Sequence, residues 1–257
     1  MGFHGNIAVV TGGASGIGLE HVLQMAKQGS TVAVIDIEDS LKGFSSFSDK
    51  ILPFRCDVTE LSQVRNTIEE IEESIGAIDR LIHCAAIMPG GLLSDTPTEE
   101  IDRVMKVNYL GMVNTVQSVL PYLLKRDSGD LIVYGSVAGI VESRRFGAYG
   151  ASKSATNFFM KVLMSENEGS GVRFLLVCPP AVDTPLINQA KNNGPEFLQD
   201  IQSTRKHLVS PDFVVKKVEE SLEKGKKICY PGPAKWVQIF YPLFPGLIEK
   251  IVNSGNM

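Results

Sequence analysis

The strand-like run Asn6-Ile7-Ala8-Val9-Val10 opens directly into Thr11-Gly12-Gly13-Ala14-Ser15-Gly16-Ile17-Gly18, and a helical pattern follows from about Gly16 to Gln28. Glycines at 12, 16 and 18 permit a turn tighter than side chains allow. A chain that turns this sharply from strand into helix has begun a βαβ unit, and the next strand is then parallel to the first. The rest of the chain repeats the alternation. Apolar, β-branched runs stand at Thr31–Asp36, Ile51–Cys56, Arg80–Cys84, Gly129–Tyr134, Val172–Cys178 and, more briefly, Lys227–Tyr230. Helical stretches lie between them, at 61–75 with apolar residues at 61, 64, 68, 71 and 75, at about 98–125 and at about 148–167. Strands without alternating polarity, separated by helices, predict a parallel sheet covered on both faces.

The expected fold is therefore α/β: a doubly wound, Rossmann-type parallel sheet with helices on both faces, forming one domain over residues 1–232. Residues 187–210 are polar and broken by Asn-Asn-Gly-Pro, a length that usually serves as a lid. From Trp236 the character changes. Apolar residues fall at 236, 239, 240, 243, 244, 247, 248 and 251, carried past Pro242 and Pro245. That periodicity predicts two short, kinked helices with a shared apolar face in a tail over 233–257. Such a face packs on the domain or a partner subunit, or it lies on a membrane surface.

Composition narrows the classes. The formal net charge is -4, so no basic surplus exists to meet nucleic acid. The N-terminus shows no secretory signal, and no run of about 18 apolar residues predicts a membrane span. Cys56, Cys84, Cys178 and Cys229 are widely spaced, which predicts free buried thiols rather than disulfides or a metal site, and fits a cytoplasmic location.

The glycine turn also reads chemically. Free N–H groups and the positive end of the first helix face whatever binds there, and glycine leaves room for a pyrophosphate. Asp36 lies 18 residues beyond Gly18, where a carboxylate can accept hydrogen bonds from ribose hydroxyls. The same charge repels a 2′-phosphate, and neither Ser15 nor Ile37 is basic, so the expected cofactor is NAD rather than NADP. The plainer alternative is a tight turn followed by an exposed aspartate.

Tyr149 and Lys153 are four residues apart on one helical face. A nearby ammonium favours the phenolate of a tyrosine, and Ser136, just past a strand end, can donate to a substrate oxygen. Taken singly, each has a bland explanation: a core aromatic, a solvated lysine, a strand-end cap. Together, TGGASGIG, Ser136 and Tyr149-Gly150-Ala151-Ser152-Lys153 resemble the short-chain dehydrogenase/reductase family over roughly residues 5–232. Asn108 in Val107-Asn108-Tyr109 and the pair Asp57-Val58 match further motifs of that family.

The resemblance implies a role for each residue. Tyr149 is the proton donor or acceptor, Lys153 lowers its pKa and holds the nicotinamide ribose, and Ser136 polarises the carbonyl. Asn108 holds a water that relays protons from Lys153. Around the dinucleotide it places Gly12, Ser15, Gly16, Ile17, Gly18, Asp36, Ile37, Asp57, Val58, Ala85, Val182 and Thr184, with Tyr149 and Lys153. It implies an NAD-dependent interconversion of an alcohol and a carbonyl, and a homodimer or homotetramer paired through the two long helices. The apolar lip and tail suggest a lipophilic substrate. Two alternatives stay open: an NADPH-linked 3-oxoacyl thioester reductase, and a silent dinucleotide-binding regulator.

Three departures stand out. His83-Cys84-Ala85-Ala86 replaces the family's Asn-Asn-Ala-Gly, with His83 read as a structural substitute. Pro179-Pro180 replaces Pro-Gly and stiffens the loop leading to Thr184. Met88-Pro89-Gly90-Gly91 forms an apolar lip. Arg144-Arg145 either meets an anionic substrate or is simply solvated.

Overall fold

The computed structural model describes residues 5–37, 48–190, 192–195, 198 and 208–253. Its centre is a seven-stranded, all-parallel sheet: β1 (Ile7–Thr11), β2 (Thr31–Asp36), β3 (Ile51–Arg55), β4 (Arg80–His83), β5 (Gly129–Tyr134), β6 (Val172–Val177) and β7 (Ile228–Cys229). The spatial order is β3-β2-β1-β4-β5-β6-β7. The winding reverses between β1 and β4, which pair with Ala8 opposite Arg80 and Thr11 opposite His83. In a doubly wound sheet this reversal opens a crevice beyond the carboxyl ends of the strands.

Helices cover both faces, as the unalternating strands require. Ala8 and Val10 of β1 face a core with Val22 and Met25 of α1 (Gly16–Lys27), and with Val214 and Val218 of α6 (Pro211–Glu223). Ile7 and Val9 face the other way. They meet Val64 and Ile68 of α2 (Leu61–Glu70), Met112 and Val116 of α4 (Gly111–Arg126), and Met160 of α5 (Gly147–Glu166). One strand thus feeds two cores by simple alternation.

The two long helical stretches contain wider turns. α2 continues through a π turn at Ile71–Ile75 and stops at Gly76, whose φ of 136° ends the helix. The stretch from α3 (Thr98–Met105) to α4 passes through a second π turn, Lys106–Leu110, where the Gly111 N–H reaches back to the Lys106 carbonyl. Asn108 sits inside that turn. Inserted π turns recur at functional positions.

At the amino ends of the strands, Arg80 donates to Asp130 at 2.6 and 2.8 Å and to Glu219 at 2.6 Å. Arg80 and Asp130 are opposite each other in the β4–β5 register and nearly wholly buried. A buried pair fully met by hydrogen bonds fixes geometry, and here it closes the end away from the crevice.

The tail forms α7 (Ala234–Phe240) and α8 (Pro245–Asn253), as the periodicity predicts. Val237 and Ile248 pack on Val141. Half of the expected 187–210 lid lies outside the described residues. Its beginning, Pro185–Ala190, is a 3-10 turn that buries Ile187 and Ala190. Among the described residues no helix is long and apolar enough to cross a membrane.

Candidate active site

A single cavity of about 720 Å³ occupies the crevice above the β1–β4 reversal. At one end lies the glycine turn, where each glycine has its own reason. A Cβ on Gly12 would stand 2.7 Å from the Ala85 nitrogen, and one on Gly18 only 2.2 Å from the Gly12 carbonyl oxygen. Gly16, at φ +54°, would bring a Cβ to 3.1 Å from the Thr184 side chain. The turn is therefore backbone against backbone, with the start of α1 behind it. Asp36, the last residue of β2, accepts a hydrogen bond from the Ala14 N–H at 3.0 Å. The turn thus aims the carboxylate while its other oxygen accepts from the adjacent Ile37 N–H at 2.9 Å.

At the other end, Tyr149 and Lys153 lie one helical turn apart near the start of α5, both buried. Lys153 Nζ donates to the Tyr134 carbonyl at 2.8 Å and stands 5.9 Å from the centroid of the Tyr149 ring. Burial lowers the lysine to about 8. Burial also raises the Tyr149 phenol to about 12, opposed by a hydrogen bond with Ser136. Ser136 begins the short 3-10 turn Val137–Gly139 and accepts from the Ala138 N–H at 3.1 Å. Its carbonyl takes a hydrogen bond from Asn157 at 3.0 Å, so its backbone is held by α5 itself.

Ser136, Tyr149 and Lys153 share the cavity wall with all the residues placed around the dinucleotide: Gly12, Ser15, Gly16, Ile17, Gly18, Asp36, Ile37, Asp57, Val58, Ala85, Val182 and Thr184. A cradle whose glycines have no room for a side chain, leading to a carboxylate and then to a lysine and a phenol, fits an elongated dinucleotide.

The family described as short chain dehydrogenase matches residues 6–194. The chain belongs to this family. The 2-(R)-hydroxypropyl-CoM dehydrogenase of Xanthobacter autotrophicus is 33% identical over 204 residues, covering 76% of this chain and 81% of that one. A 3-oxoacyl acyl-carrier-protein reductase of Thermotoga maritima is 32% identical over 201 residues, covering 76% and 82%. A solved short-chain dehydrogenase/reductase from Burkholderia phymatum, in complex with NAD, superimposes with a TM-score of 0.80 at 22% identity, covering 97% of this chain and 96% of that one. This short-chain dehydrogenase is thus an oxidoreductase of a family that binds a nicotinamide dinucleotide and small-molecule substrates.

Asn108 stands one layer behind the wall. Its side chain is fully engaged: Oδ1 accepts from the Ile87 N–H at 2.8 Å, and Nδ2 donates to the Ile87 carbonyl and to Ser152 Oγ, both at 2.9 Å. Ser152 in turn donates to the Tyr149 carbonyl at 2.7 Å. The amide therefore ties the π turn to the β4 loop and to the first turns of α5.

His83, the last residue of β4, pairs through Nδ1 with Thr11 Oγ1 at 2.8 Å across β4 and β1. Its Nε2 is buried without a partner, and burial lowers the ring to about 3, with nearby Lys153 acting in the same direction. Pro179 and Pro180 line the cavity in trans; there is no cis peptide among the described residues. The Met88 lip is pinned, its N–H donating to Gln189 Oε1 at 2.8 Å. Arg145 adopts φ +66°, and its carbonyl receives the Gly91 N–H.

Beside Tyr149 the cavity lining is mostly apolar, with Ser143 and Gln189 among it. Met88, Phe146, Ile187 and Leu198 pack around Tyr149, with Leu186 and Leu208 beside them. The Phe146 ring lies 5.4 Å from that of Tyr149. Four supporting residues had escaped the sequence reading. Tyr134 serves through its carbonyl, Ser152 and Asn157 through helix positions facing the motif, and Gln189 from a loop remote in sequence. Position on the Tyr149–Lys153 face could have flagged Ser152 and Asn157. Nothing in the sequence marks a backbone carbonyl or Gln189.

Proposed function

We propose that this protein is an NAD-dependent dehydrogenase that interconverts a lipophilic secondary alcohol and its ketone. The observation that carries the reading is the placement of Ser136, Tyr149 and Lys153 on one wall of a cavity whose far end carries Asp36 and whose lining beside Tyr149 includes Met88, Phe146, Ile187 and Leu198.

The residues divide the work. The glycine turn and the α1 N-terminus receive the pyrophosphate, and Asp36 accepts hydrogen bonds from the adenosine ribose hydroxyls. Asp57 and Val58 flank the adenine. Thr184 and Val182 border the nicotinamide end, and Lys153 donates to the ribose there. When bound, the dinucleotide supplies or receives the hydride. In reduction, Ser136 and Tyr149 donate to the carbonyl oxygen, and Tyr149 gives up its proton as charge develops there. In oxidation the same phenol, once deprotonated, removes the hydroxyl proton. Asn108 holds the water that links Lys153 to solvent as a proton relay, while its side chain braces Ile87 and Ser152. Met88, Phe146, Leu186, Ile187 and Leu208 exclude water and favour an apolar substrate body. The exposed Leu110, Phe158 and Val162 of the two long helical stretches support pairing with a second copy.

Initial rates over a panel of secondary alcohols and ketones, from short to long-chain and polycyclic, with both dinucleotides test this. The expected result is a kcat/KM that favours NADH and rises with apolar substrate size. Preference for NADPH with 3-oxoacyl thioesters replaces the reading with the reductase alternative. Tight NADH binding without turnover on any substrate replaces it with a regulatory role.

A further inference from the structure

The roof of the substrate end is the tail, and its two sides differ sharply. Pro233 and Val237 line the cavity, and Val237 and Ile248 pack on Val141, itself part of the lining. The outward side carries Trp236, Ile239, Phe240, Leu243, Phe244 and Leu247, all exposed, with Leu243 at 66% and Leu247 at 57%. Within twelve consecutive residues this leaves bare on the order of 600 Å² of apolar surface, the upper end of what a monomer normally exposes.

We propose that this face docks on a lipid bilayer, and that the substrate enters the cavity from the bilayer beneath the tail. The proposal deepens the function above and rests on its lipophilic substrate. Three observations select a bilayer over a second copy of the chain. The bare area lies at the low end of the roughly 600–1,000 Å² per partner that a stable protein interface buries. The two helices carry exposed Lys235 and Lys250 against a single carboxylate, Glu249, which accepts from the Tyr241 hydroxyl at 3.1 Å, leaving an excess of positive charge to face anionic headgroups. The Trp236 and Phe240 rings stack at 5.7 Å with Lys235 Nζ 5.9 Å from the indole, an aromatic–cation pairing suited to the headgroup level. The same few residues that shape the outer face also shape the cavity roof, so docking and substrate entry share one element.

Trp236 is the chain's single tryptophan, which makes the unmodified protein its own reporter. Its emission is recorded with vesicles of phosphatidylcholine alone, vesicles containing phosphatidylserine, and vesicles carrying brominated acyl chains. A blue shift, strongest with phosphatidylserine and quenched by the brominated lipid, is the expected result. Leu243→Ser/Phe244→Ser/Leu247→Ser alters only side chains that are more than half exposed. It should lower recovery with floated vesicles by about tenfold, while kcat/KM on a short, water-soluble alcohol stays within about twofold. Emission and flotation indifferent to vesicles overturn the proposal and leave the dehydrogenase reading standing. An emission shift that follows protein concentration without lipid assigns the face to a second copy and also overturns it. Vesicle binding without turnover on any alcohol defeats the dehydrogenase reading alone.

Discussion

Lys153 Nζ donates to the carbonyl of Tyr134 across 2.8 Å, tying the second turn of α5 to the end of β5. The bond holds the ammonium beside the Tyr149 ring, where burial alone would disfavour the charge. The phenol, raised to about 12 by burial, holds its proton throughout the neutral range. Reduction needs that proton and oxidation needs it gone.

A directional pH dependence follows. Initial rates of ketone reduction should be flat around neutrality and fall at strongly alkaline pH as the phenol ionises. Initial rates of alcohol oxidation should keep rising with pH over the same range. Tyr149→Phe should lower both by about 10³-fold or more while NADH still binds by fluorescence titration. Near-normal turnover in that variant removes Tyr149 from its assigned role.

Cofactor choice turns on Asp36. Its carboxylate is aimed by the Ala14 N–H, and Ile37 beside it is 56% exposed, so a longer side chain fits there without repacking. Asp36→Ala/Ile37→Arg removes the acceptor for two ribose hydroxyls and supplies a cation for a 2′-phosphate. Hydrogen bonds to a charged group contribute about 1.5–3 kcal/mol, which predicts KM for NADH rising roughly 10- to 100-fold and NADPH becoming the preferred cofactor. Unchanged preference in steady-state kinetics refutes the assignment of Asp36.

The glycine cradle predicts a sharp positional contrast. A Cβ on Gly18 meets the Gly12 carbonyl oxygen at 2.2 Å, whereas one on Gly246 of α8 meets nothing within 4 Å. Gly18→Ala should cost about 1–3 kcal/mol by displacing backbone and should abolish dinucleotide binding. Gly246→Ala, inside a helix, should be neutral or stabilise by up to about 1 kcal/mol. Chemical denaturation with and without NADH separates the two.

Much of this was legible because the relevant signals are local. The TGGASGIG turn, the four-residue Tyr149–Lys153 spacing and the unalternating strands each state their geometry within a few residues. The tail helices were legible for the same reason, since 3.6-residue periodicity survives two prolines. What stayed hidden depends on contacts distant in sequence. The bonds of the Asn108 side chain to Ile87 and Ser152 are an example; only the folded packing of the π turn against α5 decides them. The π turns themselves leave no mark in an apolar period. Which side of the tail faces Val141 likewise follows from the loop after β5, not from the tail's own pattern.

The buried histidine at the end of β4 has a consequence in acid. His83 is buried with Nε2 unpartnered, and His21 is buried with Nδ1 unpartnered while its Nε2 meets the Tyr134 hydroxyl at 2.7 Å. Burial lowers both to about 3 from an ordinary 6.5, with Arg80 acting in the same direction on His21 and Lys153 on His83. Between those values the unfolded chain binds more protons than the folded one, so stability is full above pH 6.5 and falls as pH drops towards 3. Each histidine contributes about 1.4 kcal/mol per pH unit in that window. One unit of acidification, from 6.5 to 5.5, begins where the unfolded rings are half protonated and should cost about 2 kcal/mol and several degrees of Tm. His83→Asn removes one of the two titrating rings and should roughly halve the slope of Tm against pH between 6 and 4.5. A slope identical to the parent's would mean that His83 accepts its proton without unfolding.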